Sequence, residues 1–454
     1  MALKEKVYLE SLGCPKNLVD SEVIAGYLQC GGFAFTTRRE EAAIIIVNTC
    51  AFIKEAVEEA EGIIRALLEF KRKGACRMLV VAGCLPRRYG APFFTDRPAL
   101  HGVDLLLGPA DMPRIAHLIR GHTAPYSRCA LPPARRPDVR PGRVQPRMRA
   151  TPSHTAYLKI AEGCSHRCAF CTIPAIKGPY RSRSPRSIID EGKWCAAQGV
   201  KEINLIAQDT TFYGRDRGTT ADLAWLMRRL CRIEGLRWIR LLYCHPDHFS
   251  KNLIEAVRDE EKVCNYLDLP LQHISDPILQ KMGRSKKSAG IRKLIHELRR
   301  SIPRLWLRTT VMVGFPGETK EDFNRLLDFI KEAEFEHLGA FRYSDEEGTR
   351  AFRLEEKVPP ALVNERYHRI MSAQSRISLK KNRALIGTQQ TVLIDAVDRL
   401  KGAATGRTFF QAPEIDGVVH LTRTKARPGD MLDALITGAF EYDLFAEPFK
   451  SGKA

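Results

Sequence analysis

The segment GCSHRCAFCTIP, residues 163–174, holds three closely spaced cysteines, Cys164, Cys168 and Cys171. Structural zinc asks for a closed set of four ligands, usually from two short pairs, and no second pair follows. His166 is the one local candidate for a fourth. A four-iron cluster held by three thiolates instead leaves one iron open to a molecule that must react. A second set of three is spread over the first hundred residues, where KVYLESLGC ends on Cys14, AAIIIVNTC on Cys50 and RMLVVAGC on Cys84. Any one of these alone reads as a small core residue. Three at the same point of similar apolar runs read as ligands. The basic residues Lys177, Arg181 and Arg183 follow the first triad directly and are placed to clamp a carboxylate, ordinary solvated charge being the alternative.

These residues need elements to position them. Between the three N-terminal apolar runs lie helical patterns, DSEVIAGYLQC and IKEAVEEAEGIIRALLEFKRKG, which makes the segment a series of βαβ units with a parallel sheet. Right-handed crossovers bring the strand ends to one edge, so Cys14, Cys50 and Cys84 should converge there. Residues 129–152, CALPPARRPDVRPGRVQPRMRATP, read as a linker rich in proline and arginine. Six strand-like runs then alternate with amphipathic helices: TAYLKIA, VKEINLIA, RWIRLLY, CNYLDLPLQ, LWLRTTVMVGF and HLGAFRYS. Six such units are two short of a closed (βα)8 barrel and predict an open one, active at the strand carboxyl ends, where the 163–174 segment lies. A helical stretch, Ala361–Leu385, leads into short strands separated by Gly and Pro, the pattern of a small five-stranded barrel of the OB type. The fold class is multidomain α/β: 1–128 an α/β domain, 129–152 a linker, 153–385 the partial barrel with its helical extension, and 386–454 the small β-barrel.

Composition limits the partners. No apolar run in the 454 residues reaches the roughly 18 that a membrane span needs, and MALKEKVYLE has no apolar signal region, so a cytoplasmic address is expected, with no membrane partner. Thirteen cysteines would stay reduced there. A net charge of +19 suits a phosphate-bearing or ribosomal partner. The last 69 residues, with eight Lys and Arg against nine Asp and Glu, carry a net −1, unlike a barrel built for RNA.

The C-x3-C-x2-C pattern resembles that of the radical S-adenosylmethionine (SAM) superfamily, in which the cofactor takes the open iron. That resemblance implies that VGFPGE, with Gly314, Gly317 and Glu318, approaches the adenine, and that Gln208 and Asp209 of AQD contact the methionine part. Two cysteine triads, the half barrel and a TRAM-like tail together resemble the methylthiotransferases over nearly the whole chain. The resemblance implies two [4Fe–4S] clusters, one on Cys164, Cys168 and Cys171 and an auxiliary one on Cys14, Cys50 and Cys84, which are thereby both metal ligands and catalytic. It also implies a single-electron reductant such as flavodoxin or ferredoxin. YLKIAEGC, AQDTTFYG, YLDLPLQHIS, YSDEEGTRA and APEIDG look like the branch that modifies an aspartate of small-subunit ribosomal protein number twelve. The alternatives are the branch acting on a tRNA adenosine and a non-catalytic iron–sulfur RNA-binding protein. The acidic tail, Glu414 and Asp416 included, is expected to meet a basic protein by charge complementarity. At LLYCHP, Cys244 and His245 depart from the family pattern and are expected to line the barrel mouth. Cys30, Cys76, Cys129, Cys195, Cys231, Cys244 and Cys264 read as structural.

Overall fold

A computed structural model describes residues 5–74, 76–122, 145–218 and 220–449. The first sheet contains β1 (Lys6–Ser11), β2 (Ala34–Phe35), β3 (Ile44–Thr49), β4 (Met78–Gly83) and β5 (Leu105–Leu107) in the order β2-β1-β3-β4-β5, every pair parallel. β3 and β4 are buried along their whole length because helices cover both faces. Ile45, Val47, Leu79 and Val81 pack on one side with the Lys54–Lys73 helix, while Ile44, Ile46 and Val80 pack on the other with the Pro15–Cys30 helix. β1, β3 and β4 are neighbours, so their carboxyl ends, each followed by a cysteine, lie side by side.

The second sheet is the open half barrel expected from the sequence. Its strands are β6 (Thr155–Lys159), β9 (Glu202–Ile206), β10 (Trp238–Leu241), β11 (Val263–Gln272), β12 (Trp306–Val313) and β13 (His337–Arg342), all parallel, in the order β13-β12-β11-β10-β9-β6. A two-stranded ribbon, β7 (Ala161–Glu162) with β8 (Arg181–Ser182), frames the cysteine segment. The Pro360–Arg383 helix lies along the β13 side, where Gln374 Nε2 donates to the Phe335 carbonyl (2.8 Å) and Arg366 pairs with Glu318 (2.7 Å).

Of the linker expected at 129–152, residues up to 144 lie outside those described. The rest forms a strap rather than a solvated connection. Arg147, buried between Glu22 of the first helix and Glu191 of the Pro185–Ala197 helix (2.6 Å), ties the two domains together.

The tail closes into a barrel, β14 (Gln389–Asp398), β15 (Ala403–Arg407), β16 (Val419–Leu421), β18 (Leu444–Pro448) and β17 (Met431–Ala439) in spatial order. Its 407–416 segment is inserted against the first residues of the central strands. Glu202, opening β9, pairs with Arg407 (2.8 Å) and with the fully buried Arg240 of β10 (2.9 Å). Arg240 Nη1 also donates to the Phe409 carbonyl (2.5 Å), Phe410 stacks on Trp306 (4.0 Å), and the His337 ring meets the Phe410 carbonyl (2.9 Å).

This docking corrects the reading of Asp416 as a surface charge, while Glu414 and Ile415 beside it stay exposed. Asp416 is enclosed, accepting from the Tyr266 hydroxyl (2.7 Å) and the Ala412 amide (2.9 Å) beside Arg308 (3.6 Å). Glu414 Oε2 accepts from the Tyr157 hydroxyl (3.4 Å), with its own backbone at φ 69°. These carboxylates hold the tail to the central barrel because basic and hydroxyl groups on the strand starts face them.

Candidate active site

Cys164 to Cys171 sit on the loop between β7 and the Ile173–Lys177 helix, at the carboxyl ends of the central strands. The loop enters through Gly163, whose φ of 76° favours glycine and whose added Cβ would stand 2.6 Å from the Gly178 carbonyl. Backbone bonds from Cys164 to the Gly178 carbonyl (3.0 Å) and from Cys171 to that of Cys168 (3.2 Å) fold it back on itself. Burial raises the Cys164 thiol to about 11 and the Cys171 thiol to about 12, each further raised by Cys168. Two thiols that resist ionisation alone, crowded against Cys168, suit a strongly cationic group such as a cluster iron, which would hold all three as thiolates.

The second triad repeats the arrangement on the first sheet. Cys14 caps the Pro15–Cys30 helix after β1, Cys50 follows β3 directly, and Cys84 opens the Cys84–Tyr89 helix after β4. Gly13, at φ 86°, brings its backbone so near Cys50 that a Cβ there would lie 3.1 Å from Sγ. Burial lifts the Cys84 thiol to about 12, with the Lys177 ammonium pulling it down and Cys50 and Cys14 adding to the rise.

The two loops touch. The Thr172 hydroxyl, next to Cys171, donates to the Phe52 carbonyl (3.0 Å), two residues after Cys50. Lys177 belongs to the helix that follows the first triad, yet its positive charge acts on Cys50 and Cys84 of the second. It is buried and bonded to Asp20 (3.1 Å) and Glu162 (3.5 Å). Burial alone would lower this ammonium, but the two carboxylates hold it well above its ordinary value. Arg183 is paired with Glu191 (2.7 Å), and Arg181 stands with both along an interdomain cavity of about 100 Å³.

The residues assigned toward a cofactor fall into two groups. Asp209 follows β9 at the cysteine-bearing mouth and accepts from His166 Nε2 (2.7 Å), His248 Nδ1 (2.8 Å), the Thr211 hydroxyl (2.6 Å) and the Phe212 amide (3.1 Å). Burial opposes its charge, but the bonds from His166, His248 and Thr211 outweigh that and keep the carboxyl far below the usual range. Gln208 precedes it, half-buried. Gly314 and Gly317, at φ 78° and 80°, turn the chain after β12, and Glu318 closes the turn by accepting from the Gly314 amide (2.7 Å) and Arg366.

Sequence reasoning gave His248 and Arg284 no role and His166 only that of a zinc ligand. His245 stacks on His166 with ring centroids 4.0 Å apart, and His248 lies 5.2 Å from His166. The short spacing of His245 and His248 was the available signal. Their meeting with His166 and Asp209 required β9 and β10 to be neighbours. Cys244 stands apart from that cluster, buried with its Sγ 3.6 Å from the Thr210 hydroxyl.

The family model for the radical SAM superfamily matches residues 158–330, that of uncharacterized protein family UPF0004 matches 6–108, and that of the TRAM domain matches 386–448. The chain is 46% identical to ribosomal protein uS12 methylthiotransferase RimO of Geotalea uraniireducens, over 98% of this chain and 99% of that one. It is likewise 46% identical to the RimO protein of Geobacter sulfurreducens, over 98% of each. The chain belongs to the RimO family of methylthiotransferases. Among solved structures, the radical SAM methyltransferase TsrM of Kitasatospora setae shares the fold, with a TM-score of 0.54 over 87% of this chain and 79% of that one at 17% identity. In a member of the RimO family, the small C-terminal barrel is a TRAM domain and the half barrel is the radical SAM domain.

Proposed function

We propose that this enzyme transfers a methylthio group to the β-carbon of an aspartate in ribosomal protein uS12. The observation that carries the reading is the pair of three-cysteine loops in contact through Thr172 and Phe52, in a chain whose relatives bear that activity in their names. No side chain deprotonates an unactivated β-carbon at a useful rate, which excludes general-base catalysis and calls for radical chemistry. SAM and two [4Fe–4S] clusters, when bound, supply the radical and the sulfur-bearing group.

The chain's own residues do the holding. Cys164, Cys168 and Cys171 hold one cluster, and Cys14, Cys50 and Cys84 the other. Asp209, fixed as an anion by two histidines, suits the ammonium of the methionine part, with Gln208 beside it. The glycine turn at Gly314 and Gly317 brings backbone to the adenine. Lys177, anchored by Asp20 and Glu162, keeps positive charge beside the auxiliary thiols. No helix of the described residues is long and apolar enough to cross a membrane. We place the reaction in the cytoplasm with a flavodoxin- or ferredoxin-like reductant.

Anaerobic reconstitution should load about eight irons per chain, as two four-iron clusters require. Incubation with SAM, a reductant and uS12 should then add one methylthio group to an aspartate, read by mass spectrometry of the digested protein. Modification of a tRNA adenosine with uS12 untouched would overturn the assignment.

A further inference from the structure

Arg284 lies in the same mouth with its charge unanswered. It follows the short Asp276–Lys281 helix, whose end is fastened to the cysteine loop: the Ala169 amide donates to the Met282 carbonyl (2.8 Å), and Gly283, at φ 74°, faces the Arg167 carbonyl so closely that a Cβ would stand 2.6 Å away. The Arg284 amide donates to the Leu279 carbonyl (2.8 Å), which fixes where the side chain starts. Its Nη1 donates to His245 Nε2, and the His245 ring stacks on His166, which stands between Cys164 and Cys168.

What it lacks is an anion. Among the described residues no carboxylate lies within 4.0 Å of Arg284, and its Nε is buried without a hydrogen-bond partner. Lys177 and Arg183, nearby in sequence to the cysteines, are already paired with Asp20, Glu162 and Glu191. His245 gives no compensation, since burial, and then Arg284 itself, hold its imidazole neutral. A part-buried guanidinium touching only a neutral ring is incompletely satisfied. Its planar fork matches a carboxylate through two parallel bonds.

We propose that Arg284, backed by His245, is the carboxylate-binding residue of the active-site mouth. Two carboxylates of the same chemistry reach this mouth in the proposed reaction, that of the methionine part of SAM and that of the aspartate to be modified. The second source rests on the function proposed above; the first requires only a SAM enzyme.

The test measures binding, apart from turnover, on anaerobically reconstituted wild-type protein and on Arg284→Gln and Arg284→Lys. Each is titrated with SAM, with decarboxylated SAM, with uS12, and with uS12 whose target aspartate is replaced by asparagine. If the site takes the cofactor, Arg284→Gln weakens SAM about ten- to a hundredfold, as loss of a charge-assisted pair does, and leaves decarboxylated SAM unchanged. If it takes the substrate, the same loss appears for uS12 and is absent for its asparagine form. Either result supports the proposal, and Arg284→Lys should regain part of the affinity.

Affinities within twofold of wild type for all four ligands would overturn it. So would an equal loss for ligands with and without the carboxylate, which marks Arg284 as packing alone. Should wild-type enzyme leave uS12 unmodified, the functional reading fails, while the two SAM titrations still decide the role of Arg284.

Discussion

Cys84 and Lys177 come from different domains, yet after burial the Lys177 charge is the largest influence on the Cys84 thiol. Replacing Lys177 with Met should leave the buried Asp20 and Glu162 sharing Lys159 alone as their cation. Loss of one of two cations should cost less than the about 3–5 kcal/mol of breaking an isolated buried pair, read as a lower midpoint in chemical denaturation. The six cysteines proposed as ligands separate by a different measurement. Alanine at Cys164, Cys168 and Cys171 should abolish reductive cleavage of SAM, whereas alanine at Cys14, Cys50 and Cys84 should preserve cleavage and stop methylthio transfer, with about four irons left in each variant. At this scale the convergence of Cys14, Cys50 and Cys84 was legible because each ends an apolar run of a parallel sheet. The ion pairs of Lys177 were not, because Asp20 sits on a helix whose position depends on the packing of two domains. The same holds for Arg284, which meets His245 only when the strand order is known.

The loops that carry the cysteines depend on glycines more than on the cysteines' neighbours. Gly13→Ala would place a methyl against Cys50 at a backbone φ of 86°, a strain of about 1–3 kcal/mol. Iron content should fall by one cluster while SAM cleavage persists. Gly163→Ala should do the reverse, losing cleavage first, because its methyl would press on the Gly178 carbonyl that orders Cys164. All six central strands could be read as apolar runs between amphipathic helices, although β13 is buried only over its first residues. β2 and β5, only two and three residues long, left too short a pattern to read. The tail was legible as a barrel, and within it Asp416 was misread as a surface charge, because an acidic residue looks the same in sequence whether water or Arg308 faces it.

The whole molecule is keyed at Glu202, where strand starts and tail share one carboxylate. Arg407 and Arg240 overcome its burial and lower its pKa from 4.5 to about 2. A depressed carboxyl contributes stability that is complete above its unfolded value and fades as pH falls through the folded one. The contribution should therefore hold above about pH 4.5 and be lost toward pH 2. Glu202→Gln should lower the melting temperature at pH 7, and the gap to wild type should narrow in that acid window. Chains ending before residue 386 would expose Tyr157, Trp238, Tyr266 and Trp306, which pack against the tail, and should aggregate in light scattering. The docking of 407–416 also sets an order of events during synthesis. The N-terminal sheet and every strand of the half barrel leave the ribosome before the segment that covers the strand starts, and a domain made first ordinarily folds first. Here the middle of the chain must wait, with Arg240 and Glu202 uncovered, for its last seventy or so residues. A message cut short near its end would thus release a nearly full-length protein that chaperones and proteases treat as unfinished.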